Sequence, residues 1–249
     1  MDKSDIQETL VHLYLRLNGY FSIGYIVHAV HGVATELDVL AVRFPRYEEP
    51  EREILCSTHL TIPTDRIDFV VGEVKGGANN VNFNAKFRQN PDAVRSTLQR
   101  FGAFSCGEID RAVKSVPELL HPNQLRRARS FPEIQLSLWG DESAHRATLR
   151  FIPFATEQAR VMGDTRPYIF QDDIIGFVWD CFRPERRRVL CDVRYNFELW
   201  GPQFEQIVQY FKDAFRTTPG TIEDLYDAYG LCRDVEPQRS QGRRGPCRP

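Results

Sequence analysis

At 249 residues, with 42% hydrophobic and 12% aromatic side chains, the chain can bury a substantial core, as one large domain or as a core with an addition. A formal net charge of −2 excludes a polycation, so any contact with nucleic acid must come from local basic patches. No apolar run approaches the length of a membrane span, and Cys56, Cys106, Cys181, Cys191, Cys232 and Cys247 are scattered without a CxxC pair, which points away from structural zinc and disulfides and toward a soluble protein in the reducing cytoplasm, with no membrane partner.

The first expected element is a helix. Ser4 can cap it with Gln7 as the capping-box partner, and Asn18-Gly19 is a stop signal. Ile6, Leu10, Leu13, Tyr14 and Leu17 form its apolar stripe. Asp5, Thr9, His12 and Arg16 share the opposite face, and Glu8 falls on the border. Two strands follow, "YFSIGYIVHAV" (20–30) and "TELDVLAVRF" (35–44), joined as a hairpin. The proline-punctuated stretch 45–65 reads as an excursion from the core, and "RIDFVVGEVKGG" (66–77) as the third strand. "ANNVNFNAKFRQ" (78–89) reads as a loop, whose Phe83 and Phe87 either stack on bases or anchor the segment. A helix over 90–102 is capped by Asn90, opened by Pro91 and closed by Gly102.

The second half predicts a weaker helix at "EIDRAVKSVPELL", strands at 133–140 and 147–154, a helix at 172–182, a strand at "RRVLCDVRYNF" and two final helices. From Arg233 the chain has almost no large apolar residue and reads as disordered. Trp139, Trp179 and Trp200 lie on apolar segments and read as core. His28 and His31 straddle a turn without partners for a zinc site.

The informative residues are acids inside apolar strands. On the third strand Glu73 and Lys75 share a face at the end of a buried run, and on the second Glu36 and Asp38 are likewise two apart. If these strands are neighbours, Asp38, Glu73 and Lys75 converge at one sheet edge. Two close carboxylates repel unless a proton or cation lies between them, and hard oxygen ligands suit Mg²⁺ or Mn²⁺. The lysine would then orient or activate an attacking water.

An acid in "ELDVLAV" followed by "DFVVGEVK", with a helix before and a helix after, resembles the PD-(D/E)xK nuclease superfamily, of restriction-endonuclease-like fold, over residues 4–102. The resemblance implies an α/β fold with an αβββαβ core, a mixed central sheet and, beyond it, a C-terminal α+β extension. Beyond the matched residues, the chain reads as a nuclease-like core at 1–160 carrying the 45–65 excursion, an extension at 161–232 packed on that core and a disordered Arg-rich tail at 233–249. The resemblance also implies Mg²⁺-dependent phosphodiester hydrolysis leaving a 5′-phosphate, with Asp38, Glu73 and the Val74 carbonyl holding the metal and Lys75 acting on the water. Glu8 matches the helix glutamate that many members add, while Glu36 is a local candidate without a counterpart. No proline precedes Asp38, and the Gln-x-x-x-Tyr signature of the RecB-like branch is absent after Lys75.

Lys86, Arg88, Arg95 and Arg100, just beyond the third strand, are the expected nucleic-acid contacts, with "RRAR" (126–129) and "RPERRR" (183–188) as further basic clusters. The expected activity is an endonuclease on DNA, in restriction or defence. Double-strand cleavage with one site per chain would call for a homodimer. The competing expectations are a ribonuclease, or a non-catalytic module that binds nucleic acid or protein on the same fold.

Overall fold

In the computed structural model, residues 1–29, 32–48, 54–77, 82–138, 146–182 and 200–231 are described. Helix α1 spans Lys3–Leu17 and is followed by strands β1 (Phe21–Ala29), β2 (Gly32–Arg43) and β3 (Arg66–Lys75). Asp2, not Ser4, caps α1: its carboxylate accepts the Asp5 N–H at 3.0 Å, and the Asp5 side chain accepts the Asp2 N–H at 2.8 Å. Two acids at the positive end of a helix are favoured by its dipole. Ser4 is left to donate its hydroxyl to Glu8, one turn on, at 3.3 Å.

After β3 come the short helix α2 (Ala85–Arg88), then α3 (Pro91–Phe101), α4 (Cys106–Leu119), α5 (Pro122–Arg127) and strands β4 (Glu133–Ser137) and β5 (Arg146–Ala155). Strand β6 (Ile169–Phe170) leads into α6 (Gln171–Phe182), and α7 (Pro202–Lys212) and α8 (Ile222–Ala228) complete the described chain. The six strands form one open mixed sheet in the order β1-β2-β3-β5-β4, with β6 pairing the end of β5. β1, β2 and β3 are an antiparallel meander, whereas β5 runs parallel to β3 after the crossover through α2–α5. β3 is therefore central and buried along all but its end residues, which is why its sequence is a nearly continuous apolar run.

The sheet has a core on each face. α1, α6, α7 and α8 pack over one face with Val39, Ala41, Val70, Val74, Ile152 and Phe154. α3 and α4 cover the other, against Leu37, Leu40, Phe69, Val71, Leu149 and Phe151. Trp179 and Trp200 lie in the first of these cores, as their apolar segments predict. α3 is capped as expected: Asn90 accepts from the Asp92 and Ala93 amides, and Gly102 ends the helix at φ 67°.

Two segments are more tightly held than the sequence suggests. Part of the 45–65 excursion belongs to the core: Leu60 is fully buried, and Ser57 accepts the Tyr14 hydroxyl at 2.6 Å while its N–H donates to Asn18 Oδ1 at 2.7 Å. In the segment after β3, Phe83 and Phe87 are buried beneath α3, with Phe83 edge-on to Phe151 at 5.8 Å, so both anchor the chain and neither offers a stacking platform. The strand expected at 187–197, the basic run 183–188, Trp139, His31 and the tail from Arg233 lie outside the described residues.

Candidate active site at the end of β3

β3 delivers Glu73 and Lys75 to its C-terminal end, where pairing with β2 has stopped while pairing with β5 continues through Lys75. Lys75 Nζ is 2.8 Å from Glu73 Oε1, the carboxylate side chain being 3% exposed and the ammonium side chain 40%. Among the described residues, buried Glu73 Oε2 finds no hydrogen-bond partner. An orphaned carboxylate oxygen in a protein interior carries the desolvation cost of a charge without a partner.

Asp38 reaches the same place from β2 by an irregular route. Ile23 pairs Leu40 and Tyr25 pairs Leu37, so Asp38 and Val39 together face Gly24 across a bulge. The extra residue places Leu37 and Leu40, three apart, in the same core, while Val39 enters the opposite one. The β2–β3 ladder ends at the Val39–Gly72 pair. Beyond it the Val74 N–H donates to Asp38 Oδ2 at 2.6 Å. The Lys75 carbonyl accepts from Thr156 on the β5 side at 2.9 Å, so by alternation the Val74 carbonyl turns toward Asp38.

The charges are coupled. Burial raises the Glu73 carboxyl above its ordinary range; Lys75 opposes this, Asp38 adds to it, and the Asn84 backbone N–H eases it. Burial also raises Asp38, against the Val74 amide and Lys75, with Glu36 adding repulsion. Glu8 is raised by burial and then by Asp38, relieved by Ser4, and raised further by Glu36 and Asp5. For Lys75, burial alone would favour the neutral amine, yet Glu73, Asp38 and Glu8 together hold its pKa above the ordinary lysine value. The fold thus brings Glu8, Glu36, Asp38, Glu73 and Lys75 into one electrostatic neighbourhood, in which three carboxyls favour a proton or a cation.

Among the described residues, no three His, Cys, Asp or Glu side chains stand together as a ready-made metal-binding group. Asp38 and Glu73 are electrostatically coupled at the end of β3, and with the Val74 carbonyl they offer hard oxygens only. That low protein-ligand count suits Mg²⁺ better than a fully caged ion. The unpartnered Glu73 Oε2 is the feature that a cation would satisfy, so the residues fit the group.

The expected nucleic-acid contacts divide. Lys86 is exposed and Arg88 half-buried on α2, directly after Asn84, whose amide faces Glu73. Arg95 is paired with Asp110 at 2.6 Å, and Arg100 lies over the Tyr25 ring at 5.6 Å, so both are engaged within the fold. Its spacing in the sequence puts His12 on the polar face of α1. It instead meets β1 and β2, with Nδ1 2.9 Å from Ser22 Oγ and the ring against the Asp38 backbone. Only the pairing of distant segments could reveal it. No family model, curated protein or solved structure matches this chain.

Proposed function

We propose that the chain is a metal-dependent nuclease, most naturally an endonuclease acting on DNA, with a restriction-endonuclease-like core formed by α1, β1, β2, β3, α3 and β5. The observation that carries the reading is Glu73: a buried carboxylate with one oxygen on Lys75 and the other without a partner among the described residues, near Asp38 at a bulge of β2. Asp38, Glu73 and the Val74 carbonyl would hold Mg²⁺ or Mn²⁺, with Glu8 and Glu36 adding negative potential. When bound, the ion supplies Lewis-acid stabilisation of charge on the phosphate and the leaving oxygen.

Lys75 is an ammonium in this setting, because three acids raise its pKa. Its role is to donate: it orients the attacking water and opposes negative charge on the phosphate, and it does not begin as a base. Lys86 and Arg88 on α2, just beyond β3, would meet the flanking phosphates. A 5′-phosphate product, a role in restriction or defence and action as a homodimer belong to the same proposal.

The test incubates the protein with supercoiled plasmid, linear duplex, single-stranded DNA and RNA, in Mg²⁺, Mn²⁺, Ca²⁺ or EDTA. Cleavage of DNA in Mg²⁺ or Mn²⁺, absent in EDTA and reduced by about 10²–10⁴-fold in Asp38→Ala and Lys75→Ala, is the expected result. Activity that survives EDTA or both substitutions overturns the site, and cleavage of RNA alone makes the protein a ribonuclease. One observation favours a binding module: Asp38 Oδ2 is already occupied by the Val74 amide. That reading predicts metal-independent binding of nucleic acid and no cleavage by wild type.

A further inference from the structure

The bulge at Asp38 and Val39 lies where β2 loses regular pairing on both sides. Its partner on β1 is the single residue Gly24, and its ladder to β3 ends within the bulge, at the Val39–Gly72 pair, leaving Asp38 beyond it. A bulged backbone leaves a carbonyl without a ladder bond, and inside a protein that carbonyl needs a donor. His12 stands at this point. It lies one turn beyond Glu8 on α1, its Nδ1 meets Ser22 Oγ of β1 at 2.9 Å, and its ring interacts with the Asp38 backbone in the sense that favours a ring N–H. The neighbouring α1 residues that face the sheet, Leu10, Leu13 and Tyr14 among them, are apolar or aromatic and fully buried, so packing alone would not call for an imidazole here.

A neutral imidazole has one N–H and one lone pair. Both can be met here if the Ser22 hydroxyl donates to Nδ1, 2.9 Å away, and the remaining ring N–H turns to the Asp38 carbonyl left free by the bulge. We infer that His12 is a positioning residue: it clamps the β2 bulge to β1 and so sets the direction from which the Asp38 carboxylate meets a divalent cation. The inference rests on Asp38 being a cation ligand, as proposed above. It adds that α1 serves the site through His12 as well as through the charge of Glu8.

The test titrates Mn²⁺ into wild type, His12→Ala, His12→Gln, Ser22→Ala and Asp38→Ala, reading bound Mn²⁺ by electron paramagnetic resonance, with thermal melting of each protein. Residues that orient a metal ligand typically contribute 10–100-fold in metal affinity. The expected result is an affinity about tenfold or more weaker in His12→Ala and weaker by a smaller factor in Ser22→Ala. His12→Gln, which restores an N–H, should recover much of the loss. A folded His12→Ala that binds Mn²⁺ like wild type overturns the inference while leaving Asp38 as ligand, provided that Asp38→Ala abolishes binding. If His12→Ala does not fold, wild-type affinity in both Ser22→Ala and His12→Gln does the same. If wild type itself does not bind Mn²⁺, or Asp38→Ala binds as wild type does, the nuclease reading fails and the role of His12 fails with it.

Discussion

Glu73 and Lys75, two residues apart on β3, form an ion pair whose halves live in different solvents: the carboxylate is 3% exposed and the ammonium 40%, across 2.8 Å. Removing the exposed half strands the buried one. Lys75→Met should therefore destabilise the fold by about 1–3 kcal/mol, toward the lower end because water screens the lysine. Adding Glu73→Gln to it should restore part of the loss, since no buried charge then remains. Urea denaturation of the single and double variants reads both effects. Equal midpoints for Lys75→Met and wild type would show the pair to be energetically idle.

The raised carboxyls fix the sign of a pH effect. Burial lifts Glu73 and Asp38 above their ordinary values of 4.5 and 3.8, so in the intervening window the folded chain holds protons that the unfolded chain has lost. Stability then rises as pH falls from neutral toward those ordinary values, and the gain is complete once the unfolded chain also takes up the protons. Comparing urea midpoints at neutral and mildly acidic pH, wild type should gain more on acidification than Glu73→Gln. Saturating Mn²⁺ should shrink the difference, because a cation competes with the proton for the same oxygens. A wild type that gains no more than Glu73→Gln would contradict the burial argument.

Glu8 and Glu36 should not contribute equally. Glu8 is half-buried on α1, and its carboxyl is raised by burial and by Asp38, whereas Glu36 is exposed on β2. Glu8→Gln should weaken Mn²⁺ binding and cleavage severalfold, and Glu36→Gln should do less, because exposed charges are screened. Mn²⁺ titration of the two variants reads the order directly, and the reverse order would place the second carboxylate on β2.

Gly72 interrupts the apolar run of β3, and its reason is steric. A Cβ there would fall 2.9 Å from Val39 Cβ and 2.9 Å from Phe154 Cε2, on the face that α1 covers. Gly72→Ala should cost about 1–3 kcal/mol by overpacking. Because Gly72 is one residue from Glu73, the variant should also lose cleavage in proportion to any shift of the strand end. Thermal melting and crystallographic comparison of the mutant strand measure the two parts, and an unchanged melting temperature would mean that Val39 and Phe154 yield freely.

The sequence shows this fold where the physics is local. Asn90, Pro91 and Gly102 punctuate α3 because caps act over a few residues. The apolar run in β3 announces a central strand because both faces are covered. Asp38 is conspicuous because an acid in an apolar strand needs a cause. The bulge that aims Asp38 is invisible, since an extra residue in β2 exists only relative to β1. His12 and Ser22 are missed for the same reason, being joined only after β1 folds beneath α1. Phe83 and Phe87 follow glycines and amides that read as a loop, and their burial depends on α3 and β5 arriving later in the chain. Asp2 takes the cap expected of Ser4 because the acidic pair Asp2 and Asp5 serves the helix end through charge as well as hydrogen bonding.

Asp173 gives a test of the fold that is independent of any function. It begins α6 and gathers three other segments: His59 at 3.1 Å, Arg160 at 2.8 Å and the Phe170 N–H at 3.0 Å. Burial alone would raise its carboxyl, but these partners outweigh burial and hold it at about 2, against an ordinary 3.8. A depressed folded pKa contributes stability that is fully present above the unfolded value and is lost as pH falls through the folded one. At 1.36 kcal/mol per unit the contribution is about 2 kcal/mol at neutral pH. Asp173→Asn should therefore lower the stability measured by urea denaturation by about that amount at pH 7. The gap from wild type should narrow below the ordinary value of 3.8 and close near the folded value of about 2. A gap independent of pH over this range would mean that Asp173 acts through packing and hydrogen-bond shape, and not through its charge.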